Sequence, residues 1–333
     1  MDCKKIRYNT LKQLLAVVCL LAFTSCTWVK DDNDDCLYGC WLKLNYTYNI
    51  LDVDAASKYV KDAHIYVYDK DGRFIKRVDA TQGQLAANDY KVEIPGLAEG
   101  DYQFVVWSGT DHDRLSTIPG DSIGGFRLAL SDAAKISNTQ LPSIYSGYVS
   151  SFHYSNLYKV QPVTMMKDTK QLNCIIVSID TTVVMNPDDY TMKVEATNGV
   201  LNAQNLFAST DTTTYEPFNR STVEIDDEDL GTLKGIMYNI STLRMLLDSP
   251  CRLILKKNDP ENTVFNISLA KTIGNVAEVT LVDGRKMTVQ EYLDRQDTYT
   301  FVFVLSSDLE SLIDYRLAVL NWGIRNNNVI KLK

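Results

Sequence analysis

An all-β fold, two sandwiches in series, is what this sequence predicts, and three observations carry it. Short runs rich in β-branched and aromatic residues recur along most of the 333 residues. Turn signals such as Asp71-Gly72 and Asp283-Gly284 separate several of them. Helical periodicity is nearly absent, and strands do not alternate with helices as a parallel α/β sheet requires. Periodicity alone does not separate a sandwich from a barrel. The length suggests two domains.

Leu42–Tyr48 alternates apolar and polar residues, the period of a half-buried strand. Ala63–Asp69 and Phe74–Val78 flank Lys70-Asp71-Gly72 and read as a hairpin. Strands follow at Tyr90–Ile94 and Tyr102–Trp107, joined by the turn Gly96–Asp101, then at Phe126–Leu130, Tyr145–Val149 and Tyr158–Met165. Polar residues from Met166 to Gln171 mark a domain boundary, giving sandwiches at 41–165 and 166–333. The second half predicts strands at Leu172–Asp180, Tyr190–Ala196, Cys251–Lys256, Val264–Leu269, Tyr299–Leu305 and Tyr315–Asn321. One helix is expected over Thr288–Arg295, with Thr288 as its cap and Glu291 closing a capping box.

The N-terminus has a different character. Lys4, Lys5, Arg7 and Lys12 precede the uncharged run Leu14–Phe23, and small residues follow it, which describes an export signal. The run is shorter than the roughly 20 residues a membrane span needs. Leu21-Ala22-Phe23-Thr24-Ser25-Cys26 resembles the lipobox of bacterial lipoproteins, with Phe23 where Leu is usual. That resemblance implies cleavage between Ser25 and Cys26, removal of residues 1–25, and acyl chains such as palmitate on Cys26. Several chains on one residue hold firmly, since each buried CH₂ adds about 0.8 kcal/mol. Residues 26–40 then form an acidic tether, because four aspartates between Asp31 and Asp35 suit no core. Lys30-Asp31-Asp32 resembles the surface-export tag of Bacteroidota lipoproteins, which implies the outer face of the outer membrane. A calcium loop of the EF-hand kind is excluded, as its central Gly and closing Glu are missing.

Without the signal's four basic residues and one acidic residue, the net charge goes from −8 to −11. Such a chain is unsuited to nucleic acid, and no nucleic-acid partner is expected. Among the seven cysteines, Cys3 and Cys19 leave with the signal. Cys36 and Cys40 are close enough for a small loop disulfide, while Cys174 and Cys251 either pair or stay as buried free thiols. Neither CxxC spacing nor a histidine cluster supports zinc.

No catalytic, cofactor or metal site is expected. His64 lies in an alternating strand, Asp111-His112-Asp113 reads as a solvated loop, and His153 stands among tyrosines. The G-x-S-x-G and H-E-x-x-H motifs are missing. Asp121-Ser122-Ile123, Asp180-Thr181-Thr182 and Asp211-Thr212-Thr213 resemble bacterial O-glycosylation triplets.

Several pieces in order resemble one family, the FimB-like fimbrium anchor subunits of Bacteroidota, which are fimbrillin-associated lipoproteins. They are Cys26, Cys36 and Cys40 ahead of Leu42–Tyr46, the run His64–Gly72, Gly100–Gly109, Val163–Lys167, Glu291–Asp297, and Trp322-Gly323. The resemblance implies two transthyretin-like β-sandwiches and no catalysis. It implies a protein of cell adhesion that holds a fimbrium's base on the cell outer membrane and limits its length. Its partners would be fimbrial shaft subunits, joined by strand complementation, in which main-chain bonds supply affinity. Shaft subunits of this type are cut after an N-terminal arginine. Here the first arginine after Cys26 is Arg73, inside the expected hairpin, so the lipid would be retained. The competing expectation is a glycan-binding surface lipoprotein of a polysaccharide importer, which requires exposed aromatics around Trp107 and Tyr145–Tyr148.

Overall fold

The computed structural model describes residues 39–131, 136–227, 231–276 and 284–318. Strand β1 (Cys40–Asn45) buries Cys40, Leu42 and Leu44 on one face, as its alternation demands. Helix α1 (Ala56–Tyr59) follows, then the hairpin β2 (Asp62–Asp69) and β3 (Phe74–Thr81), helix α2 (Gln82–Ala87), β4 (Lys91–Ile94) and β5 (Gly100–Ser108). Next come β6 (Leu115–Ile118), β7 (Arg127–Leu130), β8 (Ile136–Ser137), β9 (Tyr145–Tyr154) and β10 (Lys159–Thr164).

The first sandwich packs the sheet β10-β1-β4 against a five-stranded sheet. The latter runs β11-β9-β5-β2-β3, where β11 is Met166–Lys167. Leu42, Leu44 and Ile94 from one side meet Ile65, Val67, Phe104 and Val106 from the other. The opposite face of β2 and β5 is also covered. Tyr66, Tyr68, Val105 and Trp107 pack beneath Leu115, Phe126 and Leu128, with Trp107 stacked on Phe126 at 6.3 Å. A sheet buried on both faces loses strict alternation, which is why Ile65–Tyr68 and Phe104–Trp107 are continuous apolar runs.

The second sandwich is formed by β12 (Lys170–Ser178), β13 (Tyr190–Ala196), β14 (Val200–Leu201), β15 (Thr213–Tyr215), β16 (Asn219–Asp227), β17 (Gly231–Thr242), β18 (Cys251–Asn258) and β19 (Glu261–Ser268). Helices α3 (Leu269–Val276) and α4 (Val289–Arg295), then β20 (Thr298–Leu305) and β21 (Leu312–Ala318), complete it. Its sheets are β16-β17-β12-β20-β21 and β19-β18-β13-β15-β8. Leu172, Cys174, Ile176, Tyr238, Phe301 and Phe303 face Met192, Val194, Leu253 and Leu255 across the core. The all-β class with two sandwiches in series is therefore the observed one.

The halves are laced together. β7 pairs with β14, β8 runs parallel beside β15, and β11 joins the first sandwich. In each sandwich the opening strand has a parallel partner that comes late in the chain. β1 pairs with β10 from Cys40–Lys159 to Asn45–Thr164, and β12 pairs with β20 from Gln171–Thr298 to Ser178–Leu305.

The expected strands are present with shifted ends, and two local expectations change. β19 stops at Ser268, and Leu269 opens α3, whose Leu269, Ala270 and Ile273 are buried on one helical face. The complete capping box belongs to α2, where Thr81 and Gln84 bond reciprocally. In α4 Thr288 accepts from the Glu291 N–H, but the Glu291 carboxylate turns to Arg285 and Arg295 instead of back to the cap. The stretch 219–242, over which no element was expected, supplies the paired strands β16 and β17; Val223 and Ile225 alternate on β16, while Ile236, Met237 and Tyr238 run consecutively on β17, whose two faces enter different cores. Residues 319–321 of the last expected strand, and Asp283 of the second turn, lie outside the described residues.

Candidate functional site

Ser25, Cys26 and Cys36, the expected cleavage, lipidation and disulfide positions, lie outside the described residues. Cys40 opens β1 as a buried thiol, and burial pushes its pKa up to about 12. Cys174 and Cys251 are buried free thiols, which settles the alternative left open for them.

The densest polar construction lies where the sandwiches meet. The end of α4 supplies Asp294 and Arg295, and the turn after β17 supplies Arg244. The segment between β11 and β12 supplies Asp168, and β12 begins with Lys170. Arg244 grips Asp294 side-on, and its Nη1 donates to the Asn205 carbonyl. Lys170 Nζ donates to the carbonyls of Asp294 and Gln296 at 2.6 and 2.9 Å. Asp168 is fully buried and accepts from Asn205 Nδ2 at 2.6 Å, while the same amide nitrogen donates to Ser146 of β9 at 2.9 Å. Burial pushes Asp168 up to about 6 and Lys170 down to about 8.

Arg295 reaches the first sandwich. Its Nη1 donates to the carbonyl of Asn49 at 3.0 Å and to Asp52 Oδ1 at 2.8 Å, both in the loop after β1. Its guanidinium also lies 4.4 Å from the Tyr48 ring centroid. Glu291 Oε1 accepts from Arg295 Nε at 2.8 Å and orients the guanidinium. Hydrogen bonds from Arg285, with Arg295 assisting, hold the Glu291 carboxyl at about 2. Buried networks of this kind fix one relative arrangement, because any slippage leaves charges without partners. β1 therefore leads from Cys40 at the start of the first sandwich to a polar clamp on the second.

Sequence reading missed this cluster. The available signal was charge out of place: Arg244 interrupts Leu243 and Met245-Leu246-Leu247, and Lys170 stands two residues before the apolar Leu172 strand. The histidines read from sequence are structural in their contacts. His64 is buried with Nδ1 2.8 Å from Asp79, and Asp111 faces His64 rather than His112. His153 has a carboxylate partner, Asp101 at 2.8 Å. Among the described residues no group of His, Cys, Asp and Glu could hold a metal ion, and no helix is long and apolar enough to cross a membrane. Trp107 and Tyr145 are buried, so the aromatic platform required for glycan binding is not at the surface there. Arg73 sits in the β2–β3 turn with its N–H bonded to Asp69.

This two-sandwich build is shared by solved structures from Bacteroides and Porphyromonas. A proposed adhesin from Bacteroides thetaiotaomicron matches with a TM-score of 0.73 at 21% identity, over 86% of this chain and 97% of that one. A proposed polysaccharide-binding protein from the same species matches at 0.69 and 24% identity, over 84% and 95%. The fimbrial anchor protein Mfa2 from Porphyromonas gingivalis matches at 0.61 and 15% identity, over 85% and 97%. At these identities the likeness is one of fold. No curated protein sequence matches the chain. Residues 33–328 match the profile of the fimbrillin-A associated anchor proteins Mfa1 and Mfa2, and the chain belongs to that family.

Proposed function

We propose that this chain anchors the base of a fimbrium to the outer membrane through lipid on Cys26, without catalysis. Residues 1–25 are the removed signal, 26–40 the tether, and 41–165 and 166–333 the two sandwiches. Shaft subunits join by β-strand complementation, and the lipid-held base limits fimbrial length. The observation that carries this reading is family membership over residues 33–328.

The topology supports it mechanically. Tension enters at Cys40 and leaves the first sandwich at Thr164, at opposite ends of the parallel pair β1–β10. Load along the strand axis shears the register pairs together instead of opening them one at a time. The polar clamp on Arg295 and the continuation of β10 through β11 into β12 pass that load to the second sandwich. Arg73 supports lipid retention, because cleavage there would cut a hairpin whose strands stay paired in the sheet.

The test is a Cys26→Ala variant in fimbriated cells, counting fimbriae on washed cells and in the medium. Release or lengthening of fimbriae agrees with a lipid-held base. Unchanged fimbriae would remove the anchor assignment.

A further inference from the structure

We propose that the turn carrying Leu157 and Tyr158 rests in the lipid headgroup layer beside the anchor, giving the protein a second contact with the membrane. This rests on the lipid-anchor reading and adds a residue-level site to it.

The placement follows from register. β9 ends at Tyr154 and β10 begins at Lys159, so residues 155–158 form a tight turn, with Asn156 at φ 56. Lys159 pairs with Cys40, and its N–H donates to the Gly39 carbonyl at 3.1 Å. The turn thus projects beside the point where the tether enters β1. Gly39 is 13 residues beyond Cys26, a span of at most ~45 Å when fully extended. The same end holds the Pro95–Glu99 turn, since Ile94 also pairs with Cys40, and the Lys70–Gly72 turn.

The chemistry fits a bilayer interface. Leu157 is 67% exposed and Tyr158 is 37% exposed, side by side in this turn. Lys159 follows them, its ammonium held by the His153 carbonyl and 4.7 Å from the Phe152 ring centroid. An apolar residue, a tyrosine and a lysine in succession match the composition that sits at headgroup level. Nearby charges have both signs: Lys70 and Arg73 against Asp71, Glu99 and Asp101. The contact therefore relies on burial of Leu157 and Tyr158 rather than on attraction to anionic lipid. One leucine and one tyrosine bind weakly from solution. A short tether makes the encounter intramolecular, at an effective concentration on the order of millimolar. Val184, 87% exposed, lies beyond β12 at the far end of the second sandwich and serves as the contrasting position.

The experiment places nitroxide labels on the lipidated full-length protein in a Cys36→Ser background, at Leu157→Cys, Tyr158→Cys or Val184→Cys. The buried Cys40, Cys174 and Cys251 do not compete for label. Protein is reconstituted in vesicles of phosphatidylethanolamine with a minor share of phosphatidylglycerol. Accessibility to oxygen and to an aqueous nickel chelate is then measured. The expected result is a several-fold loss of nickel accessibility at 157 and 158, with none at 184. Labels at 157 and 158 as nickel-accessible as 184, on protein that stays with the vesicles, would overturn the proposal and leave the anchor intact. Protein that fails to partition although Cys26 is intact would remove the anchor reading and this contact with it.

Discussion

Arg244 and Asp294 meet side-on within the junction, Nε to Oδ1 at 2.8 Å and Nη2 to Oδ2 at 2.9 Å, with side chains 10% and 5% exposed. Removing one partner strands the other away from water. Arg244→Met should cost about 3–5 kcal/mol in urea denaturation. The double variant Arg244→Met/Asp294→Leu should recover most of that. A single-variant loss below about 1 kcal/mol would show that the pair does not stabilise the junction network.

Arg295 should govern the order of the loop after β1. Arg295→Ala removes the donor to Asn49 and Asp52 and the cation over Tyr48. Amide exchange over residues 47–54 should quicken at least tenfold while β20 keeps its protection. Uniform quickening across both sandwiches would instead mark Arg295 as part of the global core.

The junction should show a stability optimum in mild acid. Asp168 is raised from 3.8 to about 6, so between those values the native state keeps a proton that the unfolded chain has lost. Stability therefore falls as pH rises through that window. Glu291 is lowered from 4.5 to about 2, and its contribution is present above 4.5 and lost as pH falls towards 2. The two limbs place the maximum between about pH 4 and 5. Asp168→Asn should flatten the upper limb and leave the acid limb, as read from melting temperature against pH.

Gly235→Ala should open the centre of the second sandwich. A Cβ there would lie 2.2 Å from the Ile176 carbonyl oxygen, in the strand paired with it. Overpacking of this kind costs about 1–3 kcal/mol. Gly96→Ala, where a Cβ meets nothing within 4 Å but φ is +63°, is the comparison for backbone strain without a clash. Equal losses in the two would argue against the steric account.

Most strands were legible because their residues are β-branched or aromatic and bounded by turns, as in Ala63–Val78. The junction was not legible, since Arg244 stands out of place among apolar residues but nothing local points to Asp294, 50 residues on, as its partner. The lacing of the halves was equally hidden. β8 and β14 are two residues long, too short for any period to register, and they exist because larger strands offer them edges. The expected strand runs one residue too far, to Leu269, because Phe265, Ile267 and Leu269 extend an alternation past the point where Leu269, Ala270 and Ile273 begin a helical one.

β1 is the first described strand of the chain and sits in the middle of its sheet. One neighbour, β4, lies about 50 residues downstream, and the other, β10, ends at Thr164. The first sandwich cannot close until roughly half the polypeptide is available to fold. If Cys26 is acylated as proposed, that chemistry would meet an open chain, ahead of any folded body that could crowd it. Topology sets the order of folding: closure of the first sandwich once β10 is available, and locking against the second sandwich last, when Arg295 arrives.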